Sequence, residues 1–273
     1  VAIPIIRFRN AMKEISVDVY LRIGDDNFAH VFSKTTGLDY RRLVQYIQRG
    51  VSHLYVRKQD LDVFETFMRT TATAIIQSPH ESTEKKVATL LNMTEQNLTE
   101  IFQGFEVDAE TAQRTRTTVN GYVKLLLDDP KTLAVLLNLA AQGDYLYYHS
   151  IMVSIFSIFI AKASGMFNKE DLEVIGVGGF LHDIGCSRLP RELLECPTEY
   201  NGEQWATMKT HCKLGLEMLE GAQHVPDGAK FIVYQHHECP GGNGYPNQLV
   251  DGAIYYPTKV VAIADAFSML ISS

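Results

Sequence analysis

Apolar residues follow two patterns along this chain, and the change between them comes early. Val17–Ile23 (VDVYLRI) and Asn27–Ser33 (NFAHVFS) are β-branched and aromatic runs separated by Gly24-Asp25-Asp26, which predicts a hairpin. Asp39 is placed to begin a short helix (YRRLVQYIQR) that Gly50 stops, and Val51–Val56 reads as a further strand. From Gln59 onward the apolar spacing is helical. Predicted helices cover 83–103, 109–127, 131–141, 145–164, 170–181, 202–219, 229–237 and 258–270. The expected fold is mainly α: a helical bundle preceded by a smaller N-terminal α+β module. Ser78-Pro79 is the clearest break, so the module is assigned to 1–78 and the helical part to 79–273. The two long helices after that break are expected to link the parts or to add to the core.

Composition narrows the function classes. With 46% hydrophobic residues among 273 the chain can bury a sizeable core, which excludes disorder as its main state. Its 25 basic and 32 acidic residues leave a formal charge of -7, which argues against bulk binding to DNA or to an anionic membrane. Ile151–Ala161 is the longest apolar run and is too short to span a bilayer, which takes about 20 residues. No signal segment opens the chain. The absence of an initial Met and the abrupt end at Ser273 lead us to expect a fragment of a longer protein. Cys186, Cys196, Cys212 and Cys239 form no CxxC pair, so neither a disulfide framework nor a structural zinc site is expected. A reducing, cytoplasmic setting fits best.

The chemistry-bearing residues gather in the second half. His30, His53 and His80 have unlike contexts and read as ordinary surface or core histidines. By contrast, His149 opens an apolar helix, His182-Asp183 closes another, and His211 lies on a third. His236-His237 end a fourth, and Asp265 lies within a fifth. Buried imidazoles and carboxylates need partners or lose solvation free energy. A helical bundle that converges several of them is a common way to build a metal site. Imidazole with carboxylate and without thiolate suits iron, manganese, nickel or zinc. These residues are more than one ion takes, which points to a pair of metals. Two ions about 3.5–4 Å apart can share a hydroxide and clamp a phosphoryl oxygen, so the expected chemistry is metal-assisted hydrolysis of a phosphate ester.

At this point the order of motifs becomes informative. LHDIG (181–185), Pro190, His211, HHE (236–238) and GNGYP (242–246) resemble the HD-GYP family, and DYLYYHS (144–150) and AIADAF (262–267) fit the same order. The resemblance runs from about Lys131 to the end of the chain. It implies a helical domain with a two- or three-metal centre, often iron, that hydrolyses cyclic di-GMP or a related cyclic dinucleotide to pGpG or GMP. Carried over by motif, His149, His182, Asp183 and Asp265 would bind one divalent ion. His211, His236 and His237 would bind the other, with Asp183 bridging as the catalytic residue that helps hold the hydroxide. Iron is the expected metal, with manganese the alternative. Gly244, Tyr245, Lys259 and Arg188 are the expected substrate-binding residues.

Four places depart from the family pattern. Cys186 stands where Lys commonly follows HDIG, which removes a cation, since a thiol is neutral near pH 7 unless perturbed. Cys239 and Gly241 replace the Arg and Asp that usually lead into the GxGYP loop. Lys259 replaces an Arg and loses its bidentate fork. Tyr145 occupies the position of a third-metal Glu, so two metals are expected. These changes thin the substrate contacts more than the ligand set. The leading expectation is therefore a dinuclear cyclic-dinucleotide phosphodiesterase. The alternatives are a catalytically weak or inactive module that binds metal and nucleotide and signals through a partner protein, and a hydrolase of another nucleotide. A homodimer and a regulatory role for the N-terminal module are also expected.

Overall fold

In a computed structural model, residues 1–10, 14–25, 27–104, 107–129, 131–140, 145–194 and 200–272 are described. Contacts divide the chain into two compact units, Val1–Asn92 and Met93–Ser273. The position expected for the boundary, Ser78, caps the end of a helix, and the division falls further on, within the next one.

In the first unit, β1 (Ala2–Pro4), β2 (Val19–Arg22), β3 (Phe28–Phe32) and β4 (His53–Tyr55) form an antiparallel sheet of order β1-β4-β2-β3. The predicted hairpin is β2–β3, with Tyr20 opposite His30 and Arg22 opposite Phe28. Asp39 accepts from the Arg41 and Arg42 amides and starts α1 (Tyr40–Gln48). Alternation sends Val19, Val31 and Leu54 inward, where they meet Phe8, Leu43 and Phe64 in one core. Phe64 belongs to α2 (Leu61–Gln77), and α3 (Thr83–Gly104) follows.

The second unit is helical. α4 (Ala109–Asp128), α5 (Thr132–Ala140), α6 (Tyr145–Ser164) and α7 (Lys169–Leu181) occupy predicted positions to within about two residues. After α7 come a 3-10 turn at Ile184–Arg188, the short α8 (Arg191–Leu194), α9 (Gly202–Met208), α10 (His211–Leu219), α11 (Asp227–Gln235) and α12 (Tyr256–Ser272). Helix α7 is the central rod and packs against α4, α6, α11 and α12. Its start is fixed by a reciprocal capping box between Asn168 and Asp171. Ile155 and Ile158 of α6, Ile175 and Phe180 of α7, Ile232 of α11 and Val261 of α12 are fully or almost fully buried. None of the described helices is long and apolar enough to cross a membrane.

One prediction needs correction. The span 202–219 is not a single helix but breaks at Lys209-Thr210 into α9 and α10. The Thr210 hydroxyl donates to the Thr207 carbonyl at 2.6 Å, and its backbone amide makes a 3-10 bond to that same carbonyl. Such local side-chain bonds compete with a regular helix. The break puts His211 at the first position of α10 rather than inside a helix.

Candidate metal centre

Each histidine of the second-half series sits at or near a helix end, except His149, which lies inside α6. His182 and Asp183 follow α7, His211 opens α10, and His236 and His237 follow α11. Three imidazoles use the same local device. His182 Nδ1 lies 2.8 Å from the Gly179 carbonyl, His211 Nδ1 2.7 Å from that of Met208, and His236 Nδ1 2.9 Å from that of Val233. A carbonyl can only accept, so Nδ1 carries the hydrogen and, in the neutral ring, Nε2 keeps its lone pair.

Those Nε2 atoms converge on Asp183. Its Oδ2 is 3.2 Å from His182 and 3.9 Å from His149, while its Oδ1 is 3.4 Å from His211 and 3.6 Å from His236. The ligand atoms of Asp183, His211, His236 and His237 lie within 4.8 Å of one another, as do those of His149, His182 and Asp183. Asp265, on α12, places Oδ1 3.1 Å from His149 Nε2 and 4.0 Å from His182 Nε2. One helical turn further along, the Ser268 hydroxyl is 3.2 Å from His149 Nδ1. All seven side chains named from sequence thus meet in one place.

This donor set fits divalent ions. His182 Nε2 is buried without a hydrogen bond, although Asp183 Oδ2 is close. An orphaned imidazole nitrogen beside carboxylates is costly unless an ion takes up its lone pair. The two subsets share the Asp183 carboxylate, one oxygen of which is near His182 and His149 and the other near His211 and His236, and each subset offers donors suited to a divalent ion. Burial penalises charge on His182, Asp183, His211, His237 and Asp265. It depresses His237 to about 3, helped by His236, and it also lowers His211. At His182 burial works against the charge, but Asp183 and Asp265 outweigh it and raise the imidazole to about 9. Burial likewise opposes charge on Asp183, yet the surrounding imidazoles hold its carboxyl well below the usual carboxylate range.

Two glycines let the pieces meet. A Cβ on Gly185 would overlap the His211 carbonyl and the Gly215 amide, so only glycine lets the turn after Asp183 lie against α10. A Cβ on Gly244 would overlap the Cys239 amide and the His237 carbonyl, which holds the GNGYP loop against the end of α11. There the Tyr245 amide donates to the His237 carbonyl at 3.1 Å, and its ring stacks on His237 with centroids 4.6 Å apart. Buried Glu238 completes the loop by accepting from the Asn247 and Leu249 amides at 2.6 and 2.8 Å.

Other expected site residues are placed differently. The Lys259 ammonium pairs with Asp251 and lies 5.6 Å from the Tyr256 ring centroid. Arg188 is exposed at the end of the 3-10 turn. Cys186 is buried, and its thiol is pushed well above its ordinary value by burial and by Asp183, so it is no substitute for a cation. Asp144, Cys196 and the Tyr145 side chain lie outside the described residues. The sequence reading missed Ser268, although it shares a helix face with Asp265, and it missed Trp205, the only tryptophan.

Residues 154–273 match the family described as HD domain. The chain is 34% identical over 116 residues to the cyclic di-GMP phosphodiesterase response regulator RpfG of Xanthomonas campestris, covering 42% of this chain and 30% of that protein. It is 30% identical over 152 residues to the 3'3'-cGAMP-specific phosphodiesterase 1 of Vibrio cholerae, covering 54% of this chain and 34% of that one. The matched stretch is therefore about a third of the length of these relatives. In fold, the chain is similar to a solved HDG"Y"P protein from Bdellovibrio bacteriovorus, with a TM-score of 0.75 and 19% identity over 99% of this chain and 88% of that one. By this match residues 154–273 form an HD domain, and the order of the chain's motifs resembles that of HD-GYP proteins.

Proposed function

We propose that this protein is a metal-dependent phosphodiesterase of cyclic dinucleotides. On this reading it cleaves cyclic di-GMP, or a related cyclic dinucleotide such as cGAMP, to pGpG or GMP. The observation that carries the proposal is the position of Asp183, whose two oxygens face separate imidazole groups. His149, His182, Asp183 and Asp265 would hold one divalent ion, and His211, His236 and His237 the other, with Asp183 common to both. Iron(II) or manganese(II) suits this nitrogen–oxygen set. Bound there, such ions supply Lewis acidity toward a phosphoryl oxygen and a water nucleophile at neutral pH. The chain itself fixes the Nε2 atoms through the Nδ1–carbonyl bonds and supplies the carboxylate charge that attracts the cations. It also places Tyr245 beside His237 at the edge of the centre.

The test is incubation of anaerobically purified, Fe(II)- or Mn(II)-loaded protein with cyclic di-GMP and with 3'3'-cGAMP, followed by chromatography. Linear product that disappears in Asp183→Ala is expected. An intact nucleotide at full metal occupancy would reject the enzyme.

A second reading rests on Cys186. A buried neutral thiol replaces a cation beside Asp183, and this favours a module that binds metal and nucleotide and signals through a partner protein. Nucleotide binding without turnover in the same experiment would select it.

A further inference from the structure

Outward from the metal centre the aromatic contacts continue. His237 stacks on Tyr245, and the Trp205 ring meets Tyr245 edge-on with centroids 5.8 Å apart. Tyr200 stacks against Trp205 at 6.2 Å, with its hydroxyl donating to the Leu193 carbonyl. Trp205 is nonetheless 43% exposed, an unusual outlay of apolar surface for the largest side chain in the protein. Its helix is fixed from below by a capping box in which Asn201 and Gln204 exchange bonds with each other's backbone, so the indole is presented from an ordered element. Lys209 Nζ lies 6.0 Å from the Trp205 ring centroid, and no carboxylate pairs with it among the described residues.

We propose that Trp205 and Lys209 form a guanine subsite, with Trp205 stacking on the base of a nucleotide whose phosphate lies at the metal centre. This rests on the cyclic-dinucleotide reading above and adds which base is recognised and by what. An exposed indole two ring contacts from a metal-site imidazole becomes a stacking platform for a planar base when the flexible Lys209 ammonium, which lies over the ring, swings to the edge of that base. The ammonium beside it has donors only. Guanine presents two adjacent acceptors, N7 and O6, to such a group, whereas adenine sets an amino donor beside its N7. The pair therefore selects guanine over adenine.

Trp205 is the sole tryptophan, so its fluorescence reports this subsite alone. Mn(II)-loaded protein is mixed with cyclic di-GMP or cyclic di-AMP. Trp emission is followed by stopped flow within the first turnover, and binding heat is measured in parallel. The expected result is saturable quenching by cyclic di-GMP over the concentration range of the heat signal, with weaker binding of cyclic di-AMP. Trp205→Ala should weaken cyclic di-GMP binding by about 10-fold or more with unchanged metal content. Trp205→Phe should recover part of the loss, and Lys209→Met should narrow the preference for guanine.

Heat of binding without quenching, together with Trp205→Ala affinity within about two-fold of the parent, would overturn the subsite and leave the phosphodiesterase reading standing. Equal affinity for the two nucleotides would overturn the guanine assignment. No heat with either nucleotide would overturn the cyclic-dinucleotide reading and the subsite with it.

Discussion

Asp183 Oδ1 lies 3.4 Å from His211 Nε2, although 27 residues, with three short elements among those described, separate the two along the chain. What brings them together is the contact of Gly185 with the first turn of α10, where the backbone of His211 leaves no room for a side chain.

Gly185→Ala should therefore injure the metal site without touching a ligand. The added methyl must push the turn off α10, at a cost of about 1–3 kcal/mol in stability. It should also separate Asp183 from His211, so that metal content drops more than the stability change alone would produce. Thermal unfolding and elemental analysis of the same preparation check both. Full metal occupancy in a folded Gly185→Ala protein would contradict the packing argument.

Glu238→Gln should loosen the GNGYP loop and spare the metals. The buried carboxylate receives two backbone amides, and a glutamine turns its NH2 toward one of them. The expected loss is about 1–3 kcal/mol, with faster amide exchange at Asn247 and Leu249 and unchanged metal content. Hydrogen exchange localises the effect, and unaltered protection at these two amides would refute it.

Metal-free protein should be most stable near pH 6.5. His182, raised from 6.5 to about 9, contributes stability that is complete below 6.5 and lost as pH rises through 9. His237, lowered from 6.5 to about 3, acts in the opposite sense. Below 6.5 the unfolded chain takes up a proton that the folded one refuses, so acid favours unfolding. Asp183 and Asp265, both lowered from 3.8, lose their contribution as pH falls further. Metal ligands must be deprotonated, so loading with Mn(II) should shift the optimum to higher pH. Melting temperatures across pH 4–10 for chelated and loaded protein test this, and a melting temperature rising from 6.5 to 9 without metal would be inconsistent with it.

Thiol chemistry should separate the cysteines. Cys239 is exposed, whereas Cys186 and Cys212 are buried with their thiols pushed up by burial. Iodoacetamide at pH 8 should label Cys239 at least about 10-fold faster than the other two, as read by peptide mass spectrometry. Comparable rates would show that the turn after Asp183 opens readily.

Much of the centre was legible because its residues lie in short, ordered motifs: His182-Asp183 with Gly185, His236-His237, and Asp265 on an apolar helix. The outer parts were less legible because no short-range pattern encodes them. Lys259 meets Asp251 across a loop, so its charge is already engaged by a partner that helical spacing does not reveal. The break between α9 and α10 leaves the apolar rhythm of 202–219 intact and depends on hydrogen bonds of Thr210. Trp205 had no motif of its own, and only its neighbours in space give it meaning. In the first unit the hairpin was read from alternation, but β1 has only three residues, too few to show a period.

The bonds from His182, His211 and His236 back to carbonyls three residues earlier have one further consequence. Each imidazole is oriented by its own chain segment, before any distant part of the protein arrives. The centre is thus assembled from prefabricated pieces, and tertiary folding decides only where they meet. Sequence change in the surrounding helices can retune the separation of the pieces, and with it the choice of metal or substrate, while every piece continues to present the same nitrogen.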